Sequence, residues 1–251
     1  MLTVTESASI VVLAVVAALL FTAALNWFWP WEKRRAHNEQ IGWQLSVLGT
    51  TYAVILGFML YAVWSAFGEA QATVDLEANA LVNIYQVANG LPEQQRRQLQ
   101  DLAYKYAEEV LHDDWPEMAA GRLPEETMIL NRDMWKTLMS VQAASPTQIA
   151  AESQALSQLS ALTEHRRSRL MESMSGLPKV LWFLLIIGGC VTVASSCLFG
   201  SSNTTLHLLQ VAAFALVITL ALVTIADIHR PFQGYLHISS HPFVRAERNM
   251  Q

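Results

Sequence analysis

Charge is scarce in this chain. Only 15% of its 251 residues are Asp, Glu, Lys or Arg, against ~25% in ordinary soluble domains. Hydrophobic residues, 53% of the total, fill the gap, and they do so in runs rather than evenly. Basic charge is scarcer than acidic: 16 Lys and Arg against 21 Asp and Glu give a formal net charge of −5. No basic stripe exists, so nucleic acid is not an expected partner. Cysteine is nearly missing. Cys190 and Cys197 stand seven residues apart in one apolar run, about 10 Å along a helix, too far for a disulfide. They read as small packing residues. Catalytic signatures are missing too, with no GxSxG, HExxH, Gly-rich phosphate loop or CxxC. No enzyme activity, cofactor or metal is expected. His112-Asp113-Asp114 is the nearest thing to a metal cluster, but adjacent helix residues point in different directions. It reads as a solvated helix end.

What is present is four long apolar stretches. A spanning helix needs ~20 mostly apolar residues. Ser7 to Trp31 supplies one and closes on Trp27, Phe28, Trp29 and Trp31 before Glu32-Lys33-Arg34-Arg35, an interfacial pattern. It is too long, and its start too poor in basic charge, for a secretory signal. Leu45 to Trp64 supplies the second, inside an uncharged segment from Ile41 to Gly68. Val180 to Phe199 and Leu206 to Ala226 form a hairpin around the polar turn Gly200 to Thr205.

The expected architecture is an all-α membrane protein. Transmembrane helices 1 and 2 occupy residues 1–67, a helical cytoplasmic insert 68–179, a transmembrane hairpin 180–228 and a cytoplasmic tail 229–251. The second span continues without Pro or helix stop to Asn89-Gly90, as one helix that leaves the membrane as a stalk. Val74, Leu81, Tyr85 and Ala88 give the stalk a heptad-like stripe. Further helices are expected from Pro92 to Trp115, from Glu125 to Val141, and from Ser145, a fitting N-cap before Pro146, to Ser175. The insert is acidic, with sixteen acidic against ten basic side chains over residues 68–180. Lys and Arg near span ends set orientation. Arg166, Arg167, Arg169, Lys179, Arg230, Arg245 and Arg248 outweigh Lys33, Arg34 and Arg35. Both termini and the insert are therefore expected in the cytoplasm, with the chain as a multi-pass protein of the inner (plasma) membrane.

The second span carries a mixed stripe. Thr50, Val54, Phe58, Tyr61 and Ser65 follow i, i+4, i+8, i+11, i+15 and share one face. Such a face lines a pore with an apolar constriction, or packs against another helix. Arg166-Arg167-x-Arg169 reads either as a site for acidic headgroups or a partner's carboxylates, or as a solvated face. Asp227 closes the last span, as a functional ionisable group or as an interfacial helix end.

The order of two spans, a helical insert, two spans and a short tail resembles the bestrophin channels. Leu56-Gly57-Phe58 and Pro231-Phe232-x-Gly234 are similar to short bestrophin motifs. More closely, the chain resembles the bestrophin-like membrane proteins of bacteria and plants. Gly49-x-x-Tyr52-Ala53-Val54-x-Leu56-Gly57-Phe58, Glu77-Ala78-x-x-Leu81, Trp115-Pro116, Arg166-Arg167-x-Arg169-Leu170, Pro178-x-x-x-Trp182 and Asp227-x-x-x-Pro231-Phe232-x-Gly234 carry that resemblance over nearly the full length. It implies a homopentameric ion channel in the lipid bilayer, with the second helices around the axis and Thr50, Val54 and Phe58 in the neck positions. Thr50 departs from the apolar pattern there. It implies structural or gating roles for Gly57, Asp227, Pro231, Phe232, Gly234, Arg166, Arg167 and Arg169. The resemblance favours anions, chloride above all, although the family it points to includes cation-conducting bacterial members, and the acidic insert favours cations in a vestibule. The acidic calcium clasp of animal bestrophins has no counterpart in the tail. The alternative is a non-conducting membrane protein whose insert docks a partner or senses stress.

Overall fold

The structure, a computed structural model, describes residues 3–251. It is all-α. No strand occurs among the described residues, and the helices are α1 (Val4–Phe28), α2 (Trp31–Arg35), α3 (Asn38–Val87), α4 (Glu93–Glu109), α5 (Trp115–Ala119), α6 (Glu126–Met139), α7 (Pro146–Met174), α8 (Lys179–Cys197), α9 (Thr204–Ile228) and α10 (His241–Asn249). Four of these, α1, α3, α8 and α9, are long and apolar enough to cross a membrane. The chain is a membrane protein. It divides into two compact units, one of residues up to Ser65 with Leu177–His229, the other of Ala66–Gly176 with Arg230–Gln251.

In the first unit small side chains let helices approach. Ala18 on α1 packs with Cys197 of α8 and with Val211 and Ala215 of α9. With no polar solvent to bond, hydroxyls turn back on their own helices: Thr22 to Ala18 O at 2.8 Å, Thr192 to Gly188 O at 2.6 Å, Thr219 to Ala215 O at 2.8 Å. A Thr3/Glu6 capping box starts α1, a Thr-x-x-Glu signature overlooked in the sequence. The other missed element is α2. Its Arg34 is fully buried and donates from Nη1 to Cys197 O at 2.8 Å and from Nη2 to Asn26. A cation on the last carbonyls of α8 complements that helix's dipole. Asn38 then clamps Gly200 with two bonds of 2.9 Å.

α3 meets α8 at Tyr52. Along α3, Ile41, Tyr52 and Val63 are buried at eleven-residue intervals, three helical turns each. The Tyr52 hydroxyl donates to Leu185 O at 2.9 Å, and its ring lies over Gly188.

The second unit is a helical bundle around Leu81, Ile84, Leu99, Tyr106, Leu159 and Leu162, all fully buried. Val74, Leu81 and Ala88 of the expected stripe are inside, with Tyr85 at the edge. Ser145 caps α7 through the Gln148 amide at 3.2 Å, with Pro146 at the first helical position. The expectation that the second insert helix ends at Trp115 needs correction. After α4 a π-turn spans Val110–Asp114, and α5 continues to Ala119. Pro116 has no amide to donate and crowds the carbonyl a turn back, and the wider turn absorbs both defects. The segment after α9 is no loose tail either. Phe232, Ile238, Phe243, Ala246 and Met250 are buried in this unit.

Gly188→Ala would place a methyl 2.7 Å from the Tyr52 ring. Such overpacking costs about 1–3 kcal/mol. The expected outcome is a lower unfolding midpoint in detergent, whereas Gly49→Ala, with nothing within 4 Å, holds or raises it. Equal midpoints for both variants would mean that the Tyr52–Gly188 contact does not form.

Candidate functional site

Two constellations carry the chemistry. The first is the outer face of α3 in the spanning unit. Thr50 is exposed, Val54 52% exposed, Phe58 68% and Tyr61 70%, with Ser65 half-buried. Tyr52 and Val63, on the packed side, are 6% and 5% exposed. The sequence stripe is thus on the side of the helix that the chain leaves uncovered. Gly57 lies on the same uncovered side, and nothing stands within 4 Å of where its Cβ would be. Helical glycine costs about 1 kcal/mol relative to alanine, and no close approach of another part of the described chain calls for glycine there.

The second constellation is buried in the insert. Arg169, fully buried, reaches Glu77 through Nε to Oε2 at 2.6 Å and Nη2 to Oε1 at 3.1 Å. Its Nη2 also reaches Asp114 Oδ2 at 2.6 Å. Both carboxylates are fully buried. The Tyr106 hydroxyl donates to Glu77 Oε1 at 2.6 Å, and Thr127 donates to Asp114 at 3.0 Å. Arg166 Nε meets the Thr127 hydroxyl at 2.8 Å. Trp115 and Phe243 each stand 5.9 Å from the guanidinium carbon. Burial alone pulls the Arg169 guanidinium down from its ordinary range, but Glu77 and Asp114 overcome it and hold the cation well above that range. Burial, then the Glu77 charge, drives the Tyr106 phenol well above its usual value. The phenol stays a donor.

The Arg166-Arg167-x-Arg169 run therefore divides. Arg167 is exposed, Arg166 half-buried and Arg169 enclosed, so neither headgroup binding nor a solvated face describes Arg169. Asp114 is likewise no solvated helix end, and among the described residues no group of three His, Cys, Asp or Glu is arranged to hold a metal ion. Phe232 stacks edge-on against Trp115 at 5.6 Å, next to Pro231, which is buried. Gly234 has φ +88°, a conformation that favours glycine. Gly121 has φ +76°, which also favours glycine, and a Cβ there would stand 3.1 Å from the Gln233 side-chain amide. Asp227, half-buried, lies in the last turn of α9. Sequence reasoning missed Thr127, Gln233 and Phe243. For Phe243 a signal existed: Phe243, Ala246 and Met250 have the i, i+3, i+7 spacing of an amphipathic helix.

Residues 12–243 match the family description "Bestrophin-like domain". The chain belongs to the bestrophin-like family. Solved structures of similar fold include bacterial bestrophin homologues from Klebsiella pneumoniae. One variant superposes with TM-score 0.74 at 14% identity, covering 96% of this chain and 97% of that one. A second structure of the homologue gives TM-score 0.72 at 14% identity over 95% and 96%. A further variant gives 0.69 at 16% identity over 98% and 99%. No curated protein matches in sequence. In this bestrophin-like chain the Arg169 knot ties α3, α4, the π-turn, α6 and α7 together.

Removing one partner of a buried ion pair costs about 3–5 kcal/mol because the other charge is orphaned. Arg169→Met is expected to unfold the insert or to lower its midpoint sharply. The triple variant with Glu77→Gln and Asp114→Asn as well recovers most of that loss. A triple variant as unstable as the single one would show that lost packing, not orphaned charge, sets the cost.

Proposed function

We propose that this protein is an oligomeric ion channel whose path through the membrane is lined by α3. Membership of the bestrophin-like family supports ion conduction rather than catalysis as the general function. The observation that supports the lining is the uncovered face of α3, where the hydroxyl-bearing Thr50 and Tyr61 flank the apolar Val54 and Phe58. A lone span with a half-polar face is costly against lipid, and neighbouring copies remove that cost. A closed ring satisfies every copy alike. Five subunits, and chloride as the favoured ion, are what the resemblance to bestrophin channels implies. In such a ring Thr50, Val54, Phe58, Tyr61 and Ser65 face the axis. Phe58, midway along the span, forms the apolar constriction, and Gly57 lets the chain come close beside it. The second reading, a non-conducting docking or sensing protein, draws on the large acidic insert.

Orientation follows from the basic residues that flank the spans, with both termini and the insert in the cytoplasm of an inner-membrane protein. Cys placed at exposed Ser202, in the α8–α9 turn, is expected to label from outside, and Cys at exposed Ser157 only after permeabilisation. The reverse pattern inverts the topology.

The function itself is tested by flux in liposomes under chloride and sodium gradients, with the oligomer counted by native mass spectrometry. Phe58→Ala is expected to raise flux, because a narrow apolar ring blocks ions by dewetting. Leu60→Ala, on the opposite side of the helix, is expected to leave it unchanged at matched oligomer size. Equal flux in both variants removes Phe58 from the path. No flux in wild type or in Phe58→Ala favours the docking protein.

A further inference from the structure

Within the spanning unit α1, α8 and α9 pack against one another without closing. They leave a cleft of about 590 Å³, inside the usual size range of small-molecule sites. Its walls run from Ile10 to Phe21 on α1, from Trp182 to Cys197 on α8 and from Ala215 to Ala226 on α9. At a rise of ~1.5 Å per residue, that is about 16 Å of α1 and about 22 Å of α8. Small side chains make the room: Ala14, Ala18, Gly189, Ala194 and Ala215 all lie along the walls.

The walls are dry. The Thr219 hydroxyl donates to Ala215 O at 2.8 Å, and Cys197 Sγ turns to Val193 O at 3.2 Å. A polar solute finds no partners here, since even one bound water needs about 2–4 of them. Nor is there room for a helix. Spread over about 20 Å, the volume makes a groove about 6 Å wide, whereas a helix with its side chains is about 10–12 Å across. A single hydrocarbon chain fits. Half of the ~30 Å hydrocarbon core, about 15 Å, is the reach of one acyl chain, and the α1 wall matches it. Charge stands at one end only. Lys179 precedes Trp182 by one turn on the same face of α8, Glu6 precedes Ile10 by one turn on α1, and Asp227 follows Ala226. Trp182 meets the His229 ring edge-on at 5.4 Å, and Trp at a span end marks headgroup depth. A cation with carboxylates beside it suits a phosphate and an ammonium together better than a net anion.

We propose that this cleft holds one acyl chain of a phospholipid with a zwitterionic, ethanolamine-type headgroup, the phosphate at Lys179 and the ammonium among the carboxylates of the rim. An empty cleft forfeits the contacts its lining would otherwise make, and the chain restores them across α1, α8 and α9. The site includes none of the α3 residues assigned to the ion path and does not depend on that assignment.

The test is native mass spectrometry of the full-length protein, reconstituted in vesicles of equal phosphatidylethanolamine and phosphatidylglycerol and released in mild detergent. Wild type, Ala194→Phe, Ala14→Phe and Val217→Phe are compared. The first two variants put a ring into the cleft from different walls, so the test does not hang on the folding of either one. Val217, 64% exposed, lies on α9 outside the cleft wall. Wild type and Val217→Phe are expected to keep one phospholipid per subunit, mostly phosphatidylethanolamine, and both cleft variants to lose it several-fold. Equal retention in all four proteins, or none in wild type, would overturn the site. Both lipids kept alike in wild type and lost alike in the cleft variants would overturn the headgroup assignment and support the acyl chain. Smaller oligomers from the cleft variants with lipid retention unchanged would overturn the site by assigning the cleft to a neighbouring copy.

Discussion

One guanidinium holds the insert in register. Arg169 meets carboxylates from α3 and from the π-turn, both at 2.6 Å, and those carboxylates in turn collect Tyr106 of α4 and Thr127 of α6. Charge-assisted bonds of this length are about twice as strong as neutral ones. Only Arg has the planar fork to serve two acids at once. A Lys ammonium is a single point charge and would orphan one of them. The two aromatic rings at 5.9 Å exclude water from the guanidinium, which strengthens each bond and makes each one costly to lose. A buried ion cluster is weak evidence for stability, since desolvation offsets much of its attraction. Its consequence here is geometric. Helices that could slide past one another on Leu and Ala alone are pinned at one level by fixed donors and acceptors.

Two irregularities make the knot possible. Pro116 forces the π-turn, which ends on the buried Asp114 and is followed directly by Trp115. An unbroken α-helix through this region would rotate one of these side chains away from Arg169. Gly121 and Gly234, both at positive φ, then let the segment after α9 settle beside Trp115. Phe232 and Phe243 reach that ring from two sides, at 5.6 Å and 6.0 Å. The chain's least regular stretches are therefore where its aromatic and ionic contacts concentrate.

The sequence revealed the periodic parts well. Four apolar runs became four long helices because run length and hydropathy are local properties. Ser145-Pro146 fixed the start of α7 by its own chemistry. The uncovered side of α3 was visible as a stripe, since period 3.6 separates Thr50, Val54 and Phe58 from Tyr52. Arg169 was not legible as a core residue. Nothing local distinguishes it from Arg167, two positions away and exposed. Its burial depends on Glu77 and Asp114, which lie far off in the chain and meet it only through tertiary packing. The same holds for Arg34, which counts as one more interfacial basic residue in the sequence but caps α8 in the structure. The break after α4 was missed for a different reason. Trp115-Pro116 looks like a terminator, and a π-turn carries the helix past it.

Net charge also proved a poor guide to the insert's field. Many of its acids are neutralised by near neighbours: Glu93 by Arg96 and Arg97, Asp101 by Lys105, Glu117 by Arg122, Asp133 by Lys136. Exposed pairs of this kind add little stability. They do cancel each other's field within a few ångströms, well inside the ~8 Å over which salt screens what remains. A count of sixteen acids against ten bases therefore says little about which ion the protein attracts.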